Sequence, residues 1–349
     1  MNHPAAPTQH KQAHLAQRLA WAWLLAMSLT GCQVDVSQPA NRPRDGGTQG
    51  ATGSAVATAP VVAAASPVGA RGQDYFPNSE FTTDAGEKVR FFDDVLANKV
   101  VLVNFIYTSC GDSCPLETAR LLKVQELLGD RMGKDIFFYS ISIDPARDTP
   151  AALRDYKQRF HVGKGWTFLH GKLEDVLEIE KKLGVFREVA DQRKDHTLDM
   201  MVGNQATGQW IKRSHLENAE VMASLLVSLH PEQPEAAQFK GYEEVPARGE
   251  QVDGAERLYV SRCLDCHSIG RGDGIGPDLA GVTQRRDRAW LKRWIKQPDV
   301  MLAAHDPLAT AMYEQFDRVA MPNLQIAEAD IDLLLDFIER QSKGAKAAR

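Results

Sequence analysis

Two pairs of cysteines carry the reactive chemistry of this sequence. Cys263-Leu264-Asp265-Cys266-His267 is a C-x-x-C-H pentapeptide, and Cys110-Gly111-Asp112-Ser113-Cys114-Pro115 is a C-x-x-x-C run. On one turn of helix the two thiols of the pentapeptide and its imidazole face the same way. That is what two thioether bonds to haem vinyl groups and a proximal iron ligand require. The pentapeptide therefore predicts one covalently bound haem c, attached through Cys263 and Cys266 with His267 on the iron. The second pair is open to three readings on its residues alone: a structural bridge, a redox couple or a metal site. Its spacing is one residue longer than the usual C-x-x-C of thiol-disulfide exchange. The second sulfur is thereby moved about one helical position, which is compatible with two thiolates holding one soft ion such as Cu(I).

The elements that must position these groups follow from the pattern on either side. Phe81 to Phe92 alternates around Asp84-Ala85-Gly86-Glu87 and predicts a β-hairpin. Val100 to Tyr107 is a continuous apolar, β-branched run, as in a strand buried on both faces. Pro115 suits the first turn of a helix that continues through Leu121, Val124 and Leu128. The first cysteine pair thus sits where a buried strand meets a helix N-terminus, a place that lowers a thiol pKa. A second buried strand (136–143) and an amphipathic helix (150–160) follow. Strand, helix, strand, helix predicts a parallel α/β sheet, closed by a hairpin of Met200-Met201-Val202 with Gln209-Trp210-Ile211 and a helix over 217–229. After residue 250 the pattern is helical, with Ile331, Leu334, Leu335 and Ile338 forming an apolar stripe.

The chain has 349 residues and a formal charge of −5, with no long Lys/Arg block, so it carries no electrostatic footprint for nucleic acid. Lys11 and Arg18 precede an apolar run, Leu19 to Leu29, that is too short to span a bilayer and reads as an export signal. It ends in Leu29-Thr30-Gly31-Cys32, which resembles a bacterial lipobox and implies lipidation of Cys32. The predicted organisation is a signal peptide (1–32), a flexible linker (33–72), an α/β domain (73–230), a second linker (231–249) rich in Pro, Glu and Gly, a helical domain (250–341) and a basic tail (342–349). Residues 46–70 contain no charge and cannot build a core. The implied location is the periplasmic face of a bacterial membrane, with the domains tethered by a lipid anchor.

Residues 250–341 resemble small class I cytochromes c. Gly254, Leu258 and Tyr259 precede the pentapeptide, and Gly276-Pro277-Asp278-Leu279-Ala280-Gly281 is similar to the loop over the proximal His. The resemblance implies that Pro277 supplies a backbone carbonyl to His267. The distal ligand must be chosen among Met301, Met312 and Met321. Met321-Pro322-Asn323 resembles the family's Met-Pro turn before the last helix, which implies Met321; Met312 is its rival because the segment from Trp294 to Met321 is longer than the family leads one to expect.

Residues 73–230 resemble the Sco/SenC family of copper-binding assembly proteins, with a thioredoxin-like fold. The likeness is carried by Phe105-Ile106-Tyr107-Thr108-Ser109-Cys110 with Cys114-Pro115, by Ser142-Ile143-Asp144-Pro145-Ala146-Arg147-Asp148-Thr149-Pro150, by Gly165-Trp166-Thr167-Phe168-Leu169-His170-Gly171, and by Asp195-His196-Thr197. It implies a copper ion on Cys110, Cys114 and His196, whereas His161, His170 and His215 have no motif support. Gly111 departs from the family, which usually has Pro there. Asp144, Arg147 and Asp148 form either a structural turn with a salt bridge or a docking and redox-tuning element.

The whole chain is expected to be a copper-delivering or redox-preparing partner of an oxidase copper subunit or a similar cuproprotein, with a haem-bearing electron-transfer domain and redox partner proteins. Two alternatives remain: a thiol-disulfide oxidoreductase with Cys110 and Cys114 as its redox pair, and an electron carrier with a docking module. Electron counting favours copper, since one haem and one copper each exchange one electron and a dithiol exchanges two. A His/Met haem is also of relatively high potential and a poor reductant for a disulfide.

Overall fold

A computed structural model describes residues 74–189, 197–230 and 253–347. The signal segment with Cys32, residues 33–72, His196 and the linker 231–249 lie outside the described residues.

The α/β domain is built on one seven-stranded sheet. Its strands are β1 (Glu80–Thr83), β2 (Lys88–Arg90), β3 (Val100–Ile106), β4 (Ile136–Ser142), β5 (Trp166–His170), β6 (Asp199–Asn204) and β7 (Gln209–Ser214), ordered β2-β1-β5-β4-β3-β6-β7. Only the centre is parallel: β3 pairs with β4 and β4 with β5. The expected parallel sheet is therefore mixed, with an antiparallel hairpin at each edge. Parallel neighbours need a crossover of a dozen or more residues, which α1 (Ser113–Leu128) and α2 (Pro150–Arg159) supply, whereas the edge strands are joined by four-residue turns.

Period-two alternation divides β3 between two cores. Val100, Leu102 and Ile106 face α1, α2 and α4 (Ala219–Ser228), and the same cluster takes in Cys110 and Cys114. Val101, Val103 and Phe105 face the opposite side, where Phe91–Leu96 forms a short helix and α3 (Leu173–Leu183) packs with Val176, Ile179 and Leu183. Neither of these two helices is prominent in the sequence pattern.

The second domain is all-α: α5 (Gly254–Arg262), α6 (Val282–Arg285), α7 (Arg288–Lys296), α8 (Pro298–Ala303), α9 (Pro307–Gln315) and α10 (Glu328–Ala347). Asp253, Asp287 and Asp306 cap α5, α7 and α9 by accepting backbone amides of the first turn. The stripe Ile331, Leu334, Leu335 and Ile338 of α10 packs on Ala255 and Tyr259 of α5 and on Leu291 and Ile295 of α7. The last helix runs on to Ala347, and the buried Ser342 accepts the Gly281 amide and donates to Ile338 O. Part of the segment read as a basic tail is thus a turn of the closing helix.

Candidate functional site

Strand β3 ends in the middle of the sheet, and residues 107–112 lead from it into α1. At the head of that helix the Cys110 sulfur accepts the Cys114 amide at 3.4 Å, the capping role that the Asp112 side chain leaves vacant. The Cys110 thiol is lowered to about 6, first by the hydrogen bond with the Cys114 side chain, against burial, and then by the amides of Cys114 and Asp112 and the Tyr107 side chain. Cys114 moves the opposite way, raised by its bond to Cys110 and by its complete burial. Ionisation of the pair is thereby directed to Cys110 rather than Cys114.

Buried polar groups hold this loop from behind. The Asp148 carboxylate, 0% exposed, accepts the Thr108 amide at 3.1 Å, the Thr108 hydroxyl at 2.5 Å and the Ser142 hydroxyl at 2.6 Å. Asp144 and Arg147 form their own ion pair at 2.9 Å, with Arg147 largely in solvent. One turn beyond Cys114, Glu117 accepts the Asn104 side-chain amide at 3.1 Å. Asn104 in turn accepts the Ser140 hydroxyl at 2.7 Å, and Ser140 accepts the Trp166 indole N–H at 2.9 Å. Burial pushes the Glu117 carboxyl up to about 8, against the Asn104 hydrogen bond and with the Cys110 thiolate, so it is predominantly neutral at pH 7.

In the helical domain Cys263, Cys266 and His267 line one cleft, together with Met312 and Met321. Trp290, Trp294, Tyr313 and Phe316 give the cleft its flat apolar walls. His267 Nδ1 lies 2.9 Å from Pro277 O, which leaves Nε2 as the ring nitrogen available to a metal. Burial lowers the His267 pKa and so favours the neutral, ligating imidazole. The Gly276 backbone lies against that ring: a Cβ there would come within 2.5 Å of His267 Cε1. Asp278 ties the surrounding loop by accepting the amides of Gly270, Gly272 and Ala280, and these bonds bring its carboxyl to about 2 despite burial. An apolar cleft with paired thiols, a pre-oriented imidazole and a thioether fits a covalently bound haem c. Met301 is buried elsewhere and does not line the cleft, whereas Met312 and Met321 both do.

The two sites adjoin. Pro115, next to Cys114, is itself part of the cleft wall, and Ile275 and Val319 of that wall also pack against the apolar cluster containing Cys110 and Cys114. The Asn323 amide, two residues after Met321, donates to Gly111 O at 3.2 Å. Arg120 of α1 pairs with Asp265 at 2.8 Å, with side chains 8% and 15% exposed. Asp265 stands between the two cysteines of the pentapeptide.

A protein-family model described as SCO1/SenC matches residues 70–232, and one described as Cytochrome c matches residues 252–342. Residues 70–232 thus match a SCO1/SenC domain and residues 252–342 a cytochrome c domain. The first has the thioredoxin-like mixed sheet and the second the all-α architecture described above. A SCO2-like protein of Rickettsia conorii is 30% identical over 135 residues, a stretch that spans 37% of this chain and 64% of that protein, just under two thirds of its length. The solved structure of a SCO1/SenC family lipoprotein from Bacillus anthracis is similar at 26% identity and a TM-score of 0.39, covering 44% of this chain and 94% of its own. Copper-bound ScoI of Bradyrhizobium japonicum is similar at 23% identity and a TM-score of 0.36, covering 44% of this chain and 97% of its own.

Of the residues singled out in the SCO1/SenC domain, the structure brings Cys110 and Cys114 together, and His196 falls outside the described residues. Among the described residues no His, Cys, Asp or Glu completes a three-membered ligand cluster with them. Of the three histidines without motif support, the His161 ring pairs with Asp317 and the His170 ring with Asp148 O, while His215 meets Arg120 through its backbone carbonyl. Sequence reasoning missed Glu117, Asn104 and Arg120. Glu117 alone left a signal, a charged residue on the buried side of a helix next to a cysteine motif.

Proposed function

We propose that this protein is a copper-binding assembly factor whose SCO1/SenC domain takes up Cu(I) on Cys110 and Cys114, with His196 as third ligand. It passes the ion to a copper-accepting oxidase subunit or a similar cuproprotein. The observation that carries this reading is the placement of two buried sulfurs at the head of α1, with Cys110 Sγ 3.4 Å from the Cys114 amide. The Cys110 thiol is the one lowered, and Cu(I) displaces the remaining proton when both sulfurs bind it. Asp148 keeps Thr108, and with it the loop, fixed while the ion enters and leaves. Thiolates select Cu(I) over harder ions.

Cys263 and Cys266 are read as the covalent attachment points of one haem c, with His267 and Met321 as its axial ligands and Pro277 orienting His267. Bound there, the haem supplies one-electron chemistry beside the dithiol. Pro115, Ile275 and Val319 put apolar surface between the two sites. A second reading, thiol-disulfide exchange with redox partner proteins, is supported by the same low Cys110 pKa, since a reactive thiolate beside a buried thiol is also the form of a redox pair.

Transfer separates the two. The Cu(I)-loaded chain is mixed with a copper-free oxidase copper domain whose thiols are already reduced. Copper delivery is expected, and its loss in Cys110→Ser supports the first reading. Failure of the ion to move, with rapid reduction of the same domain in its disulfide form by the copper-free reduced chain, assigns the pair to thiol exchange. The export signal and Cys32 support a lipid-anchored protein on the periplasmic side of a bacterial membrane. A mature N-terminus whose mass lacks an acylated Cys32 would sink that part.

A further inference from the structure

Arg120 is the most heavily engaged side chain between the two domains. Its Nε and Nη2 reach Asp265 Oδ2 at 2.9 and 2.8 Å, Nη2 also donates to Ser261 O at 3.1 Å, and Nη1 donates to His215 O at 3.3 Å. One guanidinium thus joins α1, whose first turn holds Cys114, to the segment that carries Cys263 and Cys266. A second cluster of contacts comes from the stretch before Met321 that is long for a cytochrome of this kind. Asp317 pairs with His161 at 2.9 Å, Arg318 O accepts from Arg159 at 3.2 Å, and Val319 packs on the cysteine-side core. His161, Asp317 and Arg318 all have positive φ, between 52° and 59°, backbone that side chains other than Gly rarely adopt. Such conformations persist where the surroundings fix them. The Asn323 amide on Gly111 O then closes the cytochrome c domain directly over the cysteine loop.

We infer that the cytochrome c domain is an intramolecular cap on the Cys110–Cys114 loop, held shut by the Arg120–Asp265 pair, and that the thiols meet other proteins only when this pair opens. The extra stretch before Met321 is the part of the cytochrome c domain shaped to grip its neighbour. A buried charge pair suits a latch, because losing one partner leaves the other charge uncompensated. The occupant of this face of the SCO1/SenC domain is accordingly the chain's own second domain, and an acceptor protein must displace it. The use of the cap in copper handover rests on the function proposed above; the cap itself rests on the contacts alone.

The test is made on the full chain with its haem attached, so that Cys263 and Cys266 are blocked, and with Cys110 and Cys114 reduced and metal-free. Alkylation of Cys110 is followed at pH 8 by peptide mass mapping in the parent, Arg120→Ala, Asp265→Ala and the charge-swapped Arg120→Asp/Asp265→Arg. Both single variants are expected to react ~10-fold faster or more, and the swap to return toward the parental rate. Parental rates in both single variants, with unchanged circular dichroism and haem spectra, overturn the cap. Should the variants fail to fold, hydrogen exchange on the unaltered chain decides: slow exchange at the Asn323 amide supports the cap, and exchange as fast as in an open loop refutes it. Neither arm contains copper, so the cap can fail while the copper site stands, and the reverse.

Discussion

At the scale of single residues the cysteine loop is governed by what buries each group. Cys110 sits where a neighbouring thiol and amides favour a negative sulfur, and Cys114 sits where the Cys110 side chain and burial outweigh the backbone hydrogen bond at Tyr107. Glu117, behind them, is a carboxyl whose folded pKa of about 8 lies well above its ordinary value of 4.5. A raised pKa means that the folded state keeps a proton that the unfolded chain gives up, so this residue's contribution to stability falls as pH rises from 4.5 towards 8. Glu117→Gln keeps an acceptor for Asn104 and removes the titration. In urea unfolding at pH 5 and pH 8, the parent is expected to lose more stability than the variant between the two values, by on the order of 3 kcal/mol. Cys110, whose pKa is lowered, acts with the opposite sign above about 6, but it is present in both proteins and cancels in the comparison. Equal losses would mean that Glu117 is ionised in the folded state.

At the scale of elements, each site is a strand end or loop held against a helix. Gly276 has no room for a side chain, because its backbone runs against the His267 ring. Gly276→Ala is expected to push His267 off the Pro277 carbonyl and to cost ~1–3 kcal/mol through overpacking. The checks are the thermal midpoint and the haem-to-protein absorbance ratio, both lower than in the parent; an unchanged pair of values would show that the ring has room to move. Much of this level is legible in the sequence. Val100 to Tyr107 reads as a buried strand because both of its faces are apolar, and the C-x-x-C-H spacing alone sets two thiols and an imidazole in one cleft. The short helix Phe91–Leu96 and α3 are less legible, since one is barely a turn long and the other buries only a narrow stripe among Glu and Lys residues. Asp148 reads as a turn residue; only in the folded chain does Thr108, 40 positions away, become its partner.

At the scale of the whole molecule, the sequence separates two domains and says nothing of their contact, because that contact is made between residues far apart in the chain. Arg120 and Asp265 are 145 positions apart, and no periodicity or motif links them. The fold joins what the motifs leave separate, a dithiol able to hold a soft ion and a cleft able to hold a haem, with Pro115 part of both. The central claim is that Cys110 and Cys114 bind copper. It is tested most directly by anaerobic titration of Cu(I) into the fully reduced, haem-bearing chain against a chromophoric competitor, with Cys110→Ser and His196→Ala alongside. The account predicts one tightly bound copper per chain, abolished by the first substitution and greatly weakened by the second. Absence of competitive binding in the parent, or binding indifferent to Cys110, would contradict it and leave the pair as a redox dithiol.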